Sequence, residues 1–172
     1  MAQLWPRLKG GKMNVLVLYY SKGGNTRKLA EAIAGGVEQV DGVKAVKRHT
    51  REVTKNDFAS ADGLIVGSPV YFGTMAAQLK QILDEFVGVR KKMENKVGAA
   101  FATSGDPTGG KETTMISIIQ ALLIYGMVIV GDPLSATGHY GTACVGAPDG
   151  DTQENGRRLG RRVAELVKRI HQ

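Results

Sequence analysis

Ser21-Lys22-Gly23-Gly24-Asn25-Thr26 places glycines, hydroxyls, an amide and an ammonium side by side. Glycines let backbone N–H groups turn inward around an anion, and the hydroxyls and amide add hydrogen bonds. A phosphate suits such a loop, above all if a helix begins just after it, because helix N-terminal N–H groups and the macrodipole favour negative charge. The loop has no lysine followed by serine or threonine after its last glycine, and no G-x-G-x-x-G. Nucleoside triphosphate hydrolysis is therefore disfavoured. By itself the stretch is equally well read as a tight turn ending in an Asn or Thr cap.

Two further segments carry unusual chemistry for connections. Gly67-Ser68-Pro69-Val70-Tyr71-Phe72-Gly73-Thr74-Met75 has aromatics where a surface turn is ordinarily polar, which suits a flat ligand. Thr103-Ser104-Gly105-Asp106-Pro107-Thr108-Gly109-Gly110 is too rich in glycine and hydroxyls to be core, and its backbone suits a polar ring edge. Alone, each has a plain reading, as core aromatics beneath a helix or as a solvated loop ending in a cap. The elements that position them decide the matter.

Val15 to Tyr20 is continuously apolar, as a strand buried on both faces reads. Further strands are expected at Val43 to Val46, Gly63 to Gly67, Val97 to Ala102 and Met127 to Val130, the last broken by Gly131-Asp132-Pro133 and resumed at Ala143 to Val145. Helical stripes separate them: Leu29, Ala30, Ile33, Ala34 and Val37; Met75, Leu79, Ile82, Leu83 and Phe86; Met115, Ile118, Ile119, Leu122 and Leu123; Leu159, Val163, Leu166, Val167 and Ile170. A short helix is expected near Asn56 to Ala59. This alternation implies right-handed βαβ crossovers, hence an α/β fold with a three-layer, doubly wound parallel sheet. Ligands of such sheets lie beyond the carboxyl ends of the strands, and all three segments follow apolar runs.

The chain has 172 residues, 42% of them hydrophobic, enough for one domain enclosing a sheet between two helical layers. Residues 1–12 read as an N-terminal extension without a signal peptide, and residues 13–172 as the domain. No apolar run reaches the roughly 20 residues a bilayer requires, so a soluble protein is expected, with no membrane partner. Cys144 is the single cysteine, which excludes an intrachain disulfide and a cysteine-ligated cluster and fits a reducing cytoplasm. Cys144 itself reads as a small buried residue. A net charge of +7 favours anions, but much of it, including Arg157, Arg158, Arg161, Arg162, Lys168 and Arg169, lies along the last helix as a solvated face. Nucleic-acid binding is disfavoured, and neither a metal site nor a catalytic triad is assigned.

Leu18-Tyr19-Tyr20-Ser21-x-x-Gly24-Asn25-Thr26, Gly67-Ser68-Pro69-Val70-Tyr71-Phe72-Gly73 and Thr103-Ser104-Gly105 resemble the flavodoxin-like FMN proteins, especially the WrbA-type NAD(P)H:quinone oxidoreductases. Tyr125-Gly126-Met127-Val128-Ile129-Val130 and Tyr140-Gly141-Thr142-Ala143 extend the resemblance, which spans Met13 to Ile170. It implies a five-stranded sheet of order 2-1-3-4-5, the arrangement for which flavodoxin is the standard example. It also implies FMN, with its phosphate on Ser21, Lys22, Gly23, Gly24, Asn25 and Thr26, and its ring against Pro69, Val70, Tyr71, Phe72 and Gly73. Thr103, Ser104, Gly105, Asp106, Gly109 and Gly110 would line the other side. The implied activity is electron transfer from NAD(P)H to a quinone or similar acceptor, in a homo-oligomer, a dimer or tetramer; a non-enzymatic flavodoxin-type carrier is the alternative.

The chain departs from the longer WrbA-type members at several points. It has only a short connection between Thr50 and Asp62, Tyr71 in place of an arginine, and Tyr125 in place of a histidine near the flavin. The related iron–sulfur flavoproteins need several cysteines, which are lacking here. His139 and Tyr140 fall in a connection from which they could reach a substrate at the flavin face, although an exposed loop histidine is the commoner case.

Overall fold

The structure, a computed structural model, describes residues 13–171. The extension expected over residues 1–12 lies outside the described residues. The described chain forms β1 (Met13–Tyr19), α1 (Asn25–Val37), β2 (Val43–His49), α2 (Lys55–Ser60), β3 (Gly63–Tyr71), β4 (Thr74–Met75), α3 (Ala77–Glu85), a 3-10 segment (Phe86–Lys92), β5 (Val97–Ser104), α4 (Lys111–Ile124), β6 (Val128–Ile129), β7 (Gly141–Val145) and α5 (Gly150–His171).

Period-two alternation within β1 divides the core. Leu16 and Leu18 join Leu64, Val66, Leu79, Ile118 and Leu122 on one face of the sheet, and Val15 and Val17 join Leu29, Ile33, Ile65, Leu159, Val163 and Val167 on the other. A strand covered on both faces has no polar face to alternate with, which is why β1 reads as an unbroken apolar run. On the second face α1 and α5 approach closely: a Cβ on Gly160 would lie 2.0 Å from the Ile33 carbonyl oxygen.

The sheet runs β2-β1-β3-β5-β6, with β4 hairpinned onto β3 and β7 also paired to β5. The expected order 2-1-3-4-5 is thus realised with the fifth place shared. β6 pairs with the start of β5 (Val97↔Val128, Gly98↔Ile129), and β7 with its remainder (Ala100↔Gly141 to Ser104↔Val145). Between them the chain leaves the sheet at Gly131-Asp132-Pro133, as expected. The excursion is built around the buried Asp132 carboxylate, which accepts N–H bonds from Thr137 (2.9 Å), Gly138 (3.1 Å) and His139 (2.7 Å) and a bond from the Thr137 hydroxyl.

Several boundaries differ from the sequence expectation. β2 runs on to His49 rather than stopping at Val46. Its last residues, Lys47-Arg48-His49, are only partly buried at a sheet edge, where a strand tolerates polar side chains. β3 continues through Pro69, Val70 and Tyr71, and β5 through Thr103 and Ser104, so parts of the second and third loops are strand. Met75 belongs to β4 rather than to the following helix, whose apolar stripe holds from Leu79 to Leu83.

Candidate functional site

Parallel register brings the informative residues to one edge. Tyr19 pairs with His49 and with Gly67, Pro69 with Thr103, and Ser104 with Val145, so the segments following β1, β2, β3, β5 and β7 all emerge at the carboxyl ends of the strands.

Loop one turns from β1 into α1 through Gly24, whose φ of 94° is left-handed and strains any residue with a Cβ. The N–H groups of Gly24 (3.1 Å) and Arg27 (3.3 Å) both donate to the Ser21 hydroxyl oxygen. A single oxygen therefore sits where these donors converge, as an anion's oxygen would. A Cβ on Gly23 or Gly24 would meet nothing within 4 Å, so space lies open above the loop. Thr26 is buried beneath it, its hydroxyl 2.8 Å from that of Thr103. That contact joins two residues far apart in sequence and ties loop one to the end of β5.

Loop two is a tight hairpin end. Phe72 has φ 51° and is fully exposed, and Gly73 has φ 77°. A bulky residue in the left-handed region is strained, and a fully exposed phenylalanine gains nothing from burial. Tyr71 is partly exposed, with its ring edge-on to Tyr20 at 6.3 Å. Ser68 is buried and accepts the Ala76 N–H at 2.8 Å, fixing the return of the hairpin. Beside it opens a cleft of about 740 Å³ lined by Tyr71, Phe72, Met75, Ser117 and Gln120.

Loop three braces loop two. The single O–H of Thr113 lies within reach of the carbonyl oxygens of Gly73 (2.7 Å) and Gly110 (3.0 Å) and donates to one at a time, and a Cβ on Gly110 would stand 3.0 Å from Gly73 Cα. Asp106 folds over Thr108, accepting its N–H (2.9 Å) and hydroxyl (2.8 Å); these bonds, the hydroxyl's first, hold its carboxyl below the usual range. Ser104 bonds the Asp106 carbonyl oxygen at 2.8 Å, and Gly109 N–H donates to the same oxygen at 3.1 Å. A Cβ on Gly105 would meet open space. Ser21 to Thr26, Pro69 to Gly73, and Thr103 to Gly110 thus share one rim of the sheet, with separate clefts beside loop one and loop two.

His49 and Arg51 also reach this rim, beyond the residues the sequence pointed to. The His49 ring is 3.4 Å from Ser21 N–H and 3.2 Å from Arg51 N–H. A neutral imidazole offers one lone pair, so it accepts from one of these at a time. The signal was present: they follow a strand end, but the end of β2 was placed too early. Tyr125 stands where the WrbA-type members have a histidine near the flavin or the entering substrate, but in this fold it lies elsewhere. It follows the C-terminal end of α4, near the start of β5, buried with its hydroxyl on the Leu83 carbonyl oxygen at 2.6 Å, and burial pushes its pKa up to about 12. His139 and Tyr140 are exposed on the excursion flanking the middle of β5, away from the three loops.

Residues 13–142 match the family model described as NADPH-dependent FMN reductase. The chain belongs to this family. Among curated relatives, "Flavodoxin" from Aquifex aeolicus is 37% identical, covering 89% of this chain and 86% of its own. "NAD(P)H dehydrogenase (quinone)" from Archaeoglobus fulgidus is 34% identical, covering 91% and 98%. In structure, the WrbA-like flavodoxin from Agrobacterium tumefaciens superposes with a TM-score of 0.78 at 24% identity, covering 93% of this chain and 99% of that one. The fold is flavodoxin-like, and the chain is an FMN oxidoreductase. No helix among the described residues is long and apolar enough to cross a membrane.

Proposed function

We propose that the protein takes electrons from NAD(P)H and delivers them to a quinone or similar acceptor through FMN held on the carboxyl rim of the sheet. The reading rests on the two N–H groups converging on Ser21 Oγ beneath open space, on the same rim as the exposed Tyr71-Phe72 turn. Ser21, Lys22, Gly23, Gly24, Asn25 and Thr26 seat the phosphate; Thr26 acts from below, through Thr103. Pro69, Val70, Tyr71, Phe72 and Gly73 back one side of the ring, and Thr103, Ser104, Gly105, Asp106, Gly109 and Gly110 border the other.

FMN, when bound, supplies hydride acceptance and electron release. The chain's own residues orient and shield. Thr113 fixes loop two against loop three, so the aromatic turn holds a set position, and preorganisation of this kind lowers the barrier by alignment. No side chain is assigned a proton-transfer role. The cleft beside Phe72 offers an apolar approach for an acceptor.

Residues 13–172 act as one FMN-binding unit, with residues 1–12 appended, in a reducing cytoplasm compatible with the single cysteine. Self-association as a dimer or tetramer uses the outer face of α4. Thr113 to Gly131 contains no charged residue, and Leu123, Ile124 and Val128 are exposed. A chain of net charge +7 meets a second copy most readily through an uncharged face. Sedimentation of the wild type and of Leu123→Glu checks this; the variant is expected to run as a monomer.

The carrier reading draws on the relative from Aquifex aeolicus that bears the name "Flavodoxin". Steady-state oxidation of NADH and NADPH with benzoquinone by FMN-loaded protein separates the two: turnover supports the reductase reading, and negligible oxidation of both coenzymes supports the carrier.

A further inference from the structure

The outer side of loop one carries more positive charge than one phosphate ester uses. A cleft of about 490 Å³ opens there, between loop one and the turn after β2, and its walls include Tyr19, Lys22, Arg27, His49, Arg51 and Glu52. Among the described residues the Lys22 ammonium and the Arg51 guanidinium have no hydrogen bond or ion pair. Arg27 reaches only the exposed Glu31, at 3.7 Å. The one carboxylate in the wall, Glu52, accepts the His49 N–H at 3.2 Å.

The arginines of α5 form a contrast. They also line a cleft, but Arg162 is bonded to the carbonyl oxygens of Gly131 and Asp132, Arg158 to that of Ser135, and Arg161 to Glu165. Those three guanidinium groups are committed to structure, although Arg169 in the same cleft has no hydrogen bond or ion pair among the described residues; beside loop one, the Arg51 guanidinium is free to meet a ligand. Unpaired cations in a concave wall concentrate anions. The cleft shares Ser21, Lys22, Gly23 and Gly24 with the phosphate loop, so an anion held in it stands within one nucleotide's span of the flavin phosphate.

We propose that this cleft is a subsite for a second phosphate ester of a nucleotide, with Arg51 its specificity-determining residue. The proposal rests on the reading that loop one seats the flavin phosphate, because FMN has a single phosphate, which Lys22 and the loop meet, and leaves Arg51 unmatched. Two nucleotides carry a suitable group: NADPH, through its 2′-phosphate, and FAD, through its adenylate phosphate.

Calorimetric titration with adenosine 2′,5′-bisphosphate and with 5′-AMP reads the cleft without turnover. The wild type is expected to bind the bisphosphate about tenfold more tightly, Arg51→Glu to erase the difference, and Arg161→Glu, the same charge change on α5, to keep it. Equal affinities in the wild type, or an undiminished preference in Arg51→Glu, would overturn the subsite. The source follows from FMN-loaded Arg51→Glu: a rise in KM for NADPH relative to NADH assigns the pyridine nucleotide, a loss of FAD affinity relative to FMN assigns the flavin dinucleotide, and neither change overturns the proposal. Flavin fluorescence reports FMN binding separately. Failure of the wild type to bind FMN, with bisphosphate discrimination intact, would remove the flavin reading and support the cleft as a nucleotide site in its own right.

Discussion

The two ends of the sheet are finished in opposite ways. At the N-terminal end, backbone and side-chain groups satisfy one another: Asp62 accepts the Asn14 N–H at 2.8 Å, its own N–H returns to the Asn14 carbonyl oxygen at 2.8 Å, and the partly buried Lys96 ammonium caps the Ala59 carbonyl oxygen at 2.7 Å. Phe58, Phe86 and Tyr125 pack edge to face or tilted nearby, at 5.3 to 5.6 Å. At the carboxyl end, glycines face open space, a phenylalanine stands fully exposed, and donors converge on a lone hydroxyl. The first end is the more closed, although clefts of about 320 Å³ and 490 Å³ open beside it and the buried His171 Nδ1 has no partner among the described residues; the second, more open end gathers the exposed aromatic and the convergent donors. The proposed ligand site rests on that concentration of convergent donors at the more open end.

Substitutions at the two ends should therefore separate stability from binding. The largest effect is expected from Phe58→Ala at the closed end: about 3–5 kcal/mol of lost stability by chemical denaturation, with FMN affinity of the folded fraction within about twofold. If flavin affinity fell in parallel, the ends would be coupled and the comparison would break.

At the open end the converse is expected of Ser21→Asp. A carboxylate on Ser21 would occupy the point where the Gly24 and Arg27 N–H groups meet, at the start of α1. Thermal stability should hold or rise slightly, while FMN affinity falls by about a hundredfold through like-charge competition. Ser21 is a better site for this charge than Thr26, which is buried against Thr103.

Much of this division was legible in the residues. The unbroken apolar run of β1 and the apolar stripe of α5 follow directly from burial on two faces and on one. The glycine and hydroxyl content of loops one and three marked the open end because such composition cannot build core. What stayed hidden arose where burial and chemistry part company. β2 hides its last turn of strand behind Lys47-Arg48-His49, so the contribution of His49 and Arg51 to the rim was lost with the strand end. The place of Tyr125 stayed hidden because its sequence neighbourhood resembles a flavin-proximal segment, whereas the length of α4 carries it to the opposite end of the sheet.

Smaller effects sharpen the picture at the sheet's flank. Burial alone would raise the Asp132 carboxyl, but bonds from the Thr137 hydroxyl and from the N–H groups of His139, Thr137 and Gly138 hold it below the usual carboxylate range. A depressed folded pKa adds stability above the unfolded value that is lost as pH falls through the folded one. Asp132→Asn should cost about 1–3 kcal/mol at neutral pH and flatten the acid limb of a stability–pH curve, without moving FMN affinity. The smallest effect is expected at Cys144, where burial, with a lesser push from Asp149, raises the thiol to about 11. Native protein at pH 8 should resist iodoacetamide until it is denatured, as mass spectrometry would show.

The central claim is that loop one grips the ligand by its phosphate. Paired titrations of the wild-type protein with FMN and with riboflavin, which lacks that group, test it most directly. FMN is expected to bind at least about a hundredfold more tightly; equal affinities would mean that the N–H groups above Ser21 hold no phosphate.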